Sequence, residues 1–237
     1  MVPAAGRGSR LGLLTRQLPK ALLEIRGRPI LYWLLQRLRP AVARVCLVVQ
    51  GPDSPIQRRF GNGWQGLRVH YAFQPEPLGV ADAVWRARDV VQGPFVVAMG
   101  DVYYGESLAP YIGRWRGSSA EGAVLLEAAG TRARLRHPVG HARVAGDRVI
   151  DITKSVEVAP GNWRVCGLTI LPSEAFEASG YILPGEGGEL EIEDVVAWLM
   201  SNRNAEFLAI PYSGWRRNIN TPSDLQAVRA RARCPKC

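Results

Sequence analysis

Near the start of the chain, "VPAAGRGSRLGLLTRQLPKALLEI" (residues 2 to 25) sets Gly6 and Gly8 around Arg7, follows them with Ser9 and Arg10, and places Lys20 directly after Pro19. Glycines at such a turn let backbone N–H groups come close to a phosphate, although a plain structural turn has the same spelling. The dinucleotide-binding pattern Gly-x-Gly-x-x-Gly fails because Leu11 holds the last glycine position, and no Gly-Lys-Ser/Thr follows to make a P-loop. A glycine turn and two separated cations remain. That combination suits chemistry at a phosphate, where neutralising charge matters more than covalent catalysis.

Further candidates lie downstream. Asp101 ends the apolar run "PFVVAMGD", where its carboxylate could hold a hard divalent cation or simply cap the turn after Gly100. Of the 30 cationic residues only Lys20, Lys154 and Lys236 are lysine and the other 27 are arginine, so each lysine calls for a reason. A compact ammonium meets a single phosphate oxygen in a way a planar guanidinium does not. Glu189, Glu191 and Glu193 in "GELEIEDVVAWL" read mainly as acids at a helix start, favoured by its dipole, with Glu189 or Glu191 as ligand contacts in the alternative. "CPKC" at 234 to 237 is half a zinc-ribbon knuckle without its second pair, since Cys46 and Cys166 stand alone in strand-like runs.

These residues need elements to carry them. Short β-branched runs at 42 to 50, 68 to 73, 94 to 101, 122 to 128, 165 to 171 and 206 to 210 predict strands. "PILYWLLQRL" (29 to 38) puts Ile30, Leu31, Leu34, Leu35 and Leu38 on one helical face, and 79 to 91 predicts a second helix. "HARVAGDRVIDITK" (141 to 154) reads as a hairpin turning at Ala-Gly-Asp. Near the end Thr221, Pro222 and Asp224 spell a helix start, with Thr221 as N-cap. The order predicts a Rossmann-like α/β/α architecture in three layers, with a mostly parallel mixed central sheet and a small antiparallel subregion. One domain is expected over 1–237: residues 1 to 110 and 111 to 221 form its two functional parts, and 222 to 237 a C-terminal helix and tail.

The 237 residues, 47% hydrophobic, suffice for a substantial core. No run is long enough to span a membrane and no signal-peptide core follows Met1, so a cytoplasmic protein is expected. The net charge of +9 is spread along the chain and no nucleic-acid motif accompanies it, which favours a generic basic surface or small phosphorylated ligands over DNA or RNA.

In order along the whole chain, "AAGRGSRLGLLTRQLPKALLEIRGRPIL", "FGNGWQGLRVHYAFQPEPLGVADAV", "VVAMGDVYYGESL", "RVCGLTILP", "GELEIEDVV" and "GWRRNINTPSDL" resemble the sugar-1-phosphate nucleotidyltransferases. The resemblance implies transfer of a nucleotidyl group from a nucleoside triphosphate, dTTP or UTP ahead of GTP or CTP, to a sugar 1-phosphate. Ala5, Gly6, Gly8 and Ser9 would wrap the triphosphate, Gln74 and Gly79 would meet the base, and Arg10 and Lys20 would act on the α-phosphate. Gly140, Lys154, Val165 and Gly167 would line the sugar-phosphate pocket. Asp101 would hold Mg²⁺, with Asn218 where many members of the family have a second aspartate. No nucleic-acid or membrane partner is implied, whereas dimers or tetramers occur in the family. Three departures stand out: Asn218 itself, Thr153-Lys154-Ser155 in place of Glu-Lys-Pro, and only Met1, Val2 and Pro3 ahead of Ala4, which implies a short first strand or a misassigned start. They keep a non-catalytic nucleotide-sugar-binding relative as the alternative reading.

Overall fold

A computed structural model describes all residues except 7, 17, 130–132, 186 and 233–237; for 133–136 only the backbone is described. The cysteine pair at 234 to 237 therefore lies outside the described residues. The chain folds as two compact units interleaved in sequence: Met1–Pro77, Met99–Pro110 and Gly214–Cys237 form the first, and Leu78–Ala98 and Tyr111–Ser213 the second.

In the first unit the apolar run at 42 to 50 becomes the strand Arg44–Val49, buried from Val45 onward. It pairs in parallel with Val2–Pro3 on one side and Leu67–Phe73 on the other, and Gly63–Trp64 adds an antiparallel edge. The first strand covers two residues. Helix Ile30–Leu38 buries the five apolar residues its spacing placed on one face, each such side chain contributing about 1.5–3 kcal/mol. Residues Val102–Tyr104 and Arg216–Asn218 form a separate antiparallel pair. A core of Leu11, Leu23, Ile25, Tyr103, Ile219 and Leu225, with neighbours, draws the glycine-turn region, the middle segment and the C-terminal helix Pro222–Ala232 together.

The second unit holds a six-stranded sheet in the order Ala133–Ala145, Arg148–Val158, Phe207–Pro211, Gly122–Ala128, Trp163–Leu171, Phe95–Ala98. Only Phe207–Pro211 and Gly122–Ala128 pair in parallel; the other pairings are antiparallel. The expected mixture of parallel and antiparallel pairing is thus found, and the four-stranded sheet of the first unit is parallel except at its Gly63–Trp64 edge. The expected hairpin is longer than its sequence signal, because Ala133–Ala145 and Arg148–Val158 continue the pairing past both ends. The helix expected over 79 to 91 covers Val80–Arg86 and then tightens, with Ala87 N donating to Val84 O and Arg88 N to Trp85 O. Among the described residues no helix is long and apolar enough to cross a membrane.

Candidate active site

The glycine turn leaves the first strand where Ala4 N donates to Val48 O at 2.8 Å. Ala5 is buried, and Gly8 adopts a left-handed conformation (φ 62°) as the cap of the 3₁₀ helix Ser9–Thr15. Its carbonyl is fixed by Leu11 N at 2.9 Å and Thr15 Oγ1 at 2.9 Å. A Cβ at Gly8 would lie 3.1 Å from both Lys20 Cβ and Thr15 Cγ2. Glycine here relieves backbone strain and makes room for the Lys20 stem. Ala4, Ala5 and Gly6 line a cleft of about 410 Å³ together with Val49, Gln50 and Ser54.

Lys20 opens a short 3₁₀ turn, Lys20–Leu22, and its side chain is 12% exposed. Its Nζ donates to Asp101 Oδ2 at 2.6 Å and to Asn220 Oδ1 at 2.9 Å. Arg10 Nη2 reaches the same Asn220 oxygen at 3.5 Å. Asp101 is 27% exposed, so the cluster is half-buried, where a charge pair is screened less than on an open surface. The Asp101 carbonyl accepts from Ile219 N at 2.9 Å, which fixes the loop against the C-terminal segment. Asn218 stands opposite Val102 in its strand pair, and its Oδ1 accepts from Arg216 Nη1 at 2.8 Å. Gln74 follows the strand Leu67–Phe73, buried, with its N donating to Val49 O.

The second unit gathers another group. Gly140 and Lys154 sit directly opposite each other on adjacent strands. A Cβ at Gly140 would lie 3.1 Å from Val165 Cβ, and it would collide with Glu193 Oε1. Lys154 Nζ donates to Glu191 Oε1 at 2.5 Å, Glu191 being the N-cap of the helix Ile192–Arg203. Burial raises the Glu191 carboxyl above its ordinary range even against Lys154, and it pushes Glu193 up to about 7. Gly167 (φ 77°) lies where the register of Trp163–Leu171 shifts against Gly122–Ala128. Gly79 belongs to this unit too, capping the helix Val80–Arg86 and bridging to Leu190, so the two residues expected at the base fall in different units.

The profile of the family described as Nucleotidyl transferase matches residues 1–225. The chain belongs to the nucleotidyl transferase family. It is 29% identical over 226 residues to the UTP–glucose-1-phosphate uridylyltransferase AglF of Haloferax volcanii, covering 94% of this chain and 92% of that one. It is also 30% identical over 200 residues to a glucose-1-phosphate thymidylyltransferase of Xanthomonas campestris, covering 82% and 67%. Among solved structures, the UTP-bound UGPase of Acinetobacter baumannii shares the fold with a TM-score of 0.84 at 19% identity, covering 99% of this chain and 93% of that one.

In this nucleotidyl transferase, no group of three or more His, Cys, Asp or Glu that could hold a metal occurs among the described residues. A divalent ion would therefore rely on Asp101, on amide oxygens and on its ligand. The donor set fits a hard cation that keeps phosphate and water in its shell, and the Asp101 carboxylate already attracts a cation, the Lys20 ammonium. Sequence reasoning picked out Asn218 and passed over Asn220, the residue whose side chain touches both Lys20 and Arg10. The available signal was the spacing of "NIN", since residues two apart in extended chain share a face.

Proposed function

We propose that the chain transfers a nucleotidyl group from a nucleoside triphosphate to a sugar 1-phosphate, releasing pyrophosphate and an NDP-sugar, with dTTP or UTP as donor. The observation that carries this reading is the convergence of Lys20 on Asp101, with Arg10 on the neighbouring Asn220, beside a turn without side chains at Gly6 and Gly8. Uridylyl- and thymidylyltransferases among its relatives support the donor and acceptor classes.

An oxygen of the sugar phosphate forms a bond to the α-phosphorus while the bond to the bridging oxygen of pyrophosphate breaks, and that oxygen leaves with the electron pair. The attacking phosphate is ionised near neutral pH, its second pKa being about 6, so no general base is required. Backbone groups of Ala5, Gly6, Gly8 and Ser9 orient the triphosphate, and Arg10 and Lys20 offset the charge that gathers at the α-phosphate. Gln74 and Gly79 are assigned to the base. Asp101 and the amide oxygen of Asn218 would hold a divalent ion such as Mg²⁺, which when bound supplies Lewis-acid neutralisation of the phosphate oxygens. In the second unit Lys154, opposite Gly140, grips the phosphate of the sugar as a point charge, with Val165 and Gly167 lining its surroundings. Both substrates are soluble phosphate esters, in keeping with a cytoplasmic location.

Purified protein, Mg²⁺, four NTPs and a panel of sugar 1-phosphates, read as pyrophosphate release, test the proposal. Turnover with dTTP or UTP is expected. No release with any pair, together with tight NDP-sugar binding, would replace it with a binding role. Lys20→Ala and Asp101→Ala should each lower kcat by about 10²- to 10³-fold while the unfolding transition stays in place. Normal turnover in either variant removes that residue from the mechanism.

A further inference from the structure

We propose that Asn220 is a positioning residue for this reaction, its side-chain oxygen drawing the Lys20 ammonium and the Arg10 guanidinium onto one point beside Asp101. The inference rests on the transferase reading of Lys20 and Arg10. Two cations of the same sign repel, and neither by itself has a reason to stay near the other. Ammonium and guanidinium groups carry only donors, so the Asn220 atom that faces them is the carbonyl oxygen. It accepts from Lys20 at 2.9 Å and from Arg10 at 3.5 Å.

The oxygen is held from both directions along the chain. Ile219, fully buried, donates its N–H to the Asp101 carbonyl at 2.9 Å. Asn220 N and Thr221 N both donate to Asp224 Oδ2, at 3.1 and 2.9 Å. Arg217 Nε in turn donates to Asp224 Oδ1 at 2.9 Å. The residue carrying the shared acceptor is thus pinned by the middle segment on one side and by the N-terminal cap of the helix Pro222–Ala232 on the other. An amide suits the task because it orients both cations without cancelling the charge they present to a triphosphate. A carboxylate in the same place would retain the orientation but oppose the approach of the anion.

Steady-state pyrophosphate release by wild type, Asn220→Ala, Asn220→Asp, Lys20→Ala and the Asn220→Ala/Lys20→Ala double variant tests this. Asn220→Ala should lower kcat by about 10- to 100-fold with the KM for sugar phosphate unchanged. In the Lys20→Ala background the same substitution should cost several-fold less than in wild type, because only Arg10 is left to position. Asn220→Asp should restore most of kcat while raising the KM for the triphosphate, a split that a loss of folded protein does not produce. A kcat for Asn220→Ala within about twofold of wild type, or a full loss that persists when Lys20 is absent, overturns the inference. Wild-type turnover is the control. Its absence with every substrate pair overturns the transferase reading and takes this inference with it, whereas an active wild type with an unimpaired Asn220→Ala overturns the inference alone.

Discussion

Glu193 shows how a single side chain can be set by a residue distant in sequence. Its carboxylate lies over Gly140, where a Cβ would collide with Oε1 and stand 2.8 Å from Cδ. Gly140→Ala should therefore lower stability by about 1–3 kcal/mol through overpacking against a buried carboxylate. In a Glu193→Ala background the same alanine should cost little, and urea unfolding of the four proteins measures the difference. From sequence alone, Glu193 reads as one of three acids at a helix start. Its burial is invisible there, because Gly140, the residue it lies over, stands more than 50 residues earlier. Lys20 and Asp101 were legible for a local reason, one following Pro19 after a glycine turn and the other ending an apolar strand-like run. Asn220 was not, since a second asparagine two residues away has the same chemistry and only the fold separates Arg216's partner from Lys20's.

Helix Pro222–Ala232 is the element whose start the sequence spelled most fully. Asp224 N donates to Thr221 Oγ1 at 3.2 Å, and Thr221 N donates to Asp224 Oδ2 at 2.9 Å, the reciprocal bonds of a capping box. Thr221→Ala should cost about 1 kcal/mol in thermal or denaturant unfolding. Burial would raise the Asp224 carboxyl, but bonds from Thr221, Arg217 and the Asn220 and Thr221 N–H groups outweigh it and hold the group below its ordinary 3.8. A depressed carboxyl contributes stability above its unfolded value and loses it as pH falls through the folded one. Asp224→Asn should accordingly lower the midpoint at neutral pH and converge with wild type in acid, a comparison of melting curves from pH 6 to 2. Other elements were less legible. Gly63–Trp64 is too short to leave a periodic signal, and the helix after Gly79 ends early through tighter turns that apolar spacing does not encode.

At the level of the molecule, the pH profile of stability should carry the mark of the second unit. Glu193 is 7% exposed and its carboxyl is pushed up to about 7, against an ordinary 4.5. A raised carboxyl binds its proton more tightly when folded, so stability is greatest in mild acid and falls between about pH 4.5 and 7 as the unfolded chain ionises first. The full effect is roughly 3 kcal/mol. Glu193→Gln should flatten most of this decline and melt higher than wild type at pH 8. Burial raises Glu191 and Asp194 in the same direction, and they leave a residual slope. An unchanged slope in the variant would show that Glu193 is ionised at little cost in the native protein. The alternation of strands and helices made an α/β fold legible, but the pairing directions were not, because they depend on which distant segments meet. Gly122–Ala128 pairs in parallel with Phe207–Pro211 and antiparallel with Trp163–Leu171, and nothing in its own seven residues distinguishes those partners.

The bond network at Lys20 joins residues 81 and 200 positions apart, and the first unit is completed only by the segment from Gly214 onward. A ribosome making this chain delivers every strand of the second unit before it delivers Asn220. A nascent chain halted at Ser213 would hold Lys20 and Asp101 but neither the strand Arg216–Asn218 nor the helix behind it. The cluster of Lys20, Asp101 and Asn220 would therefore form only after the segment from Gly214 onward has been made.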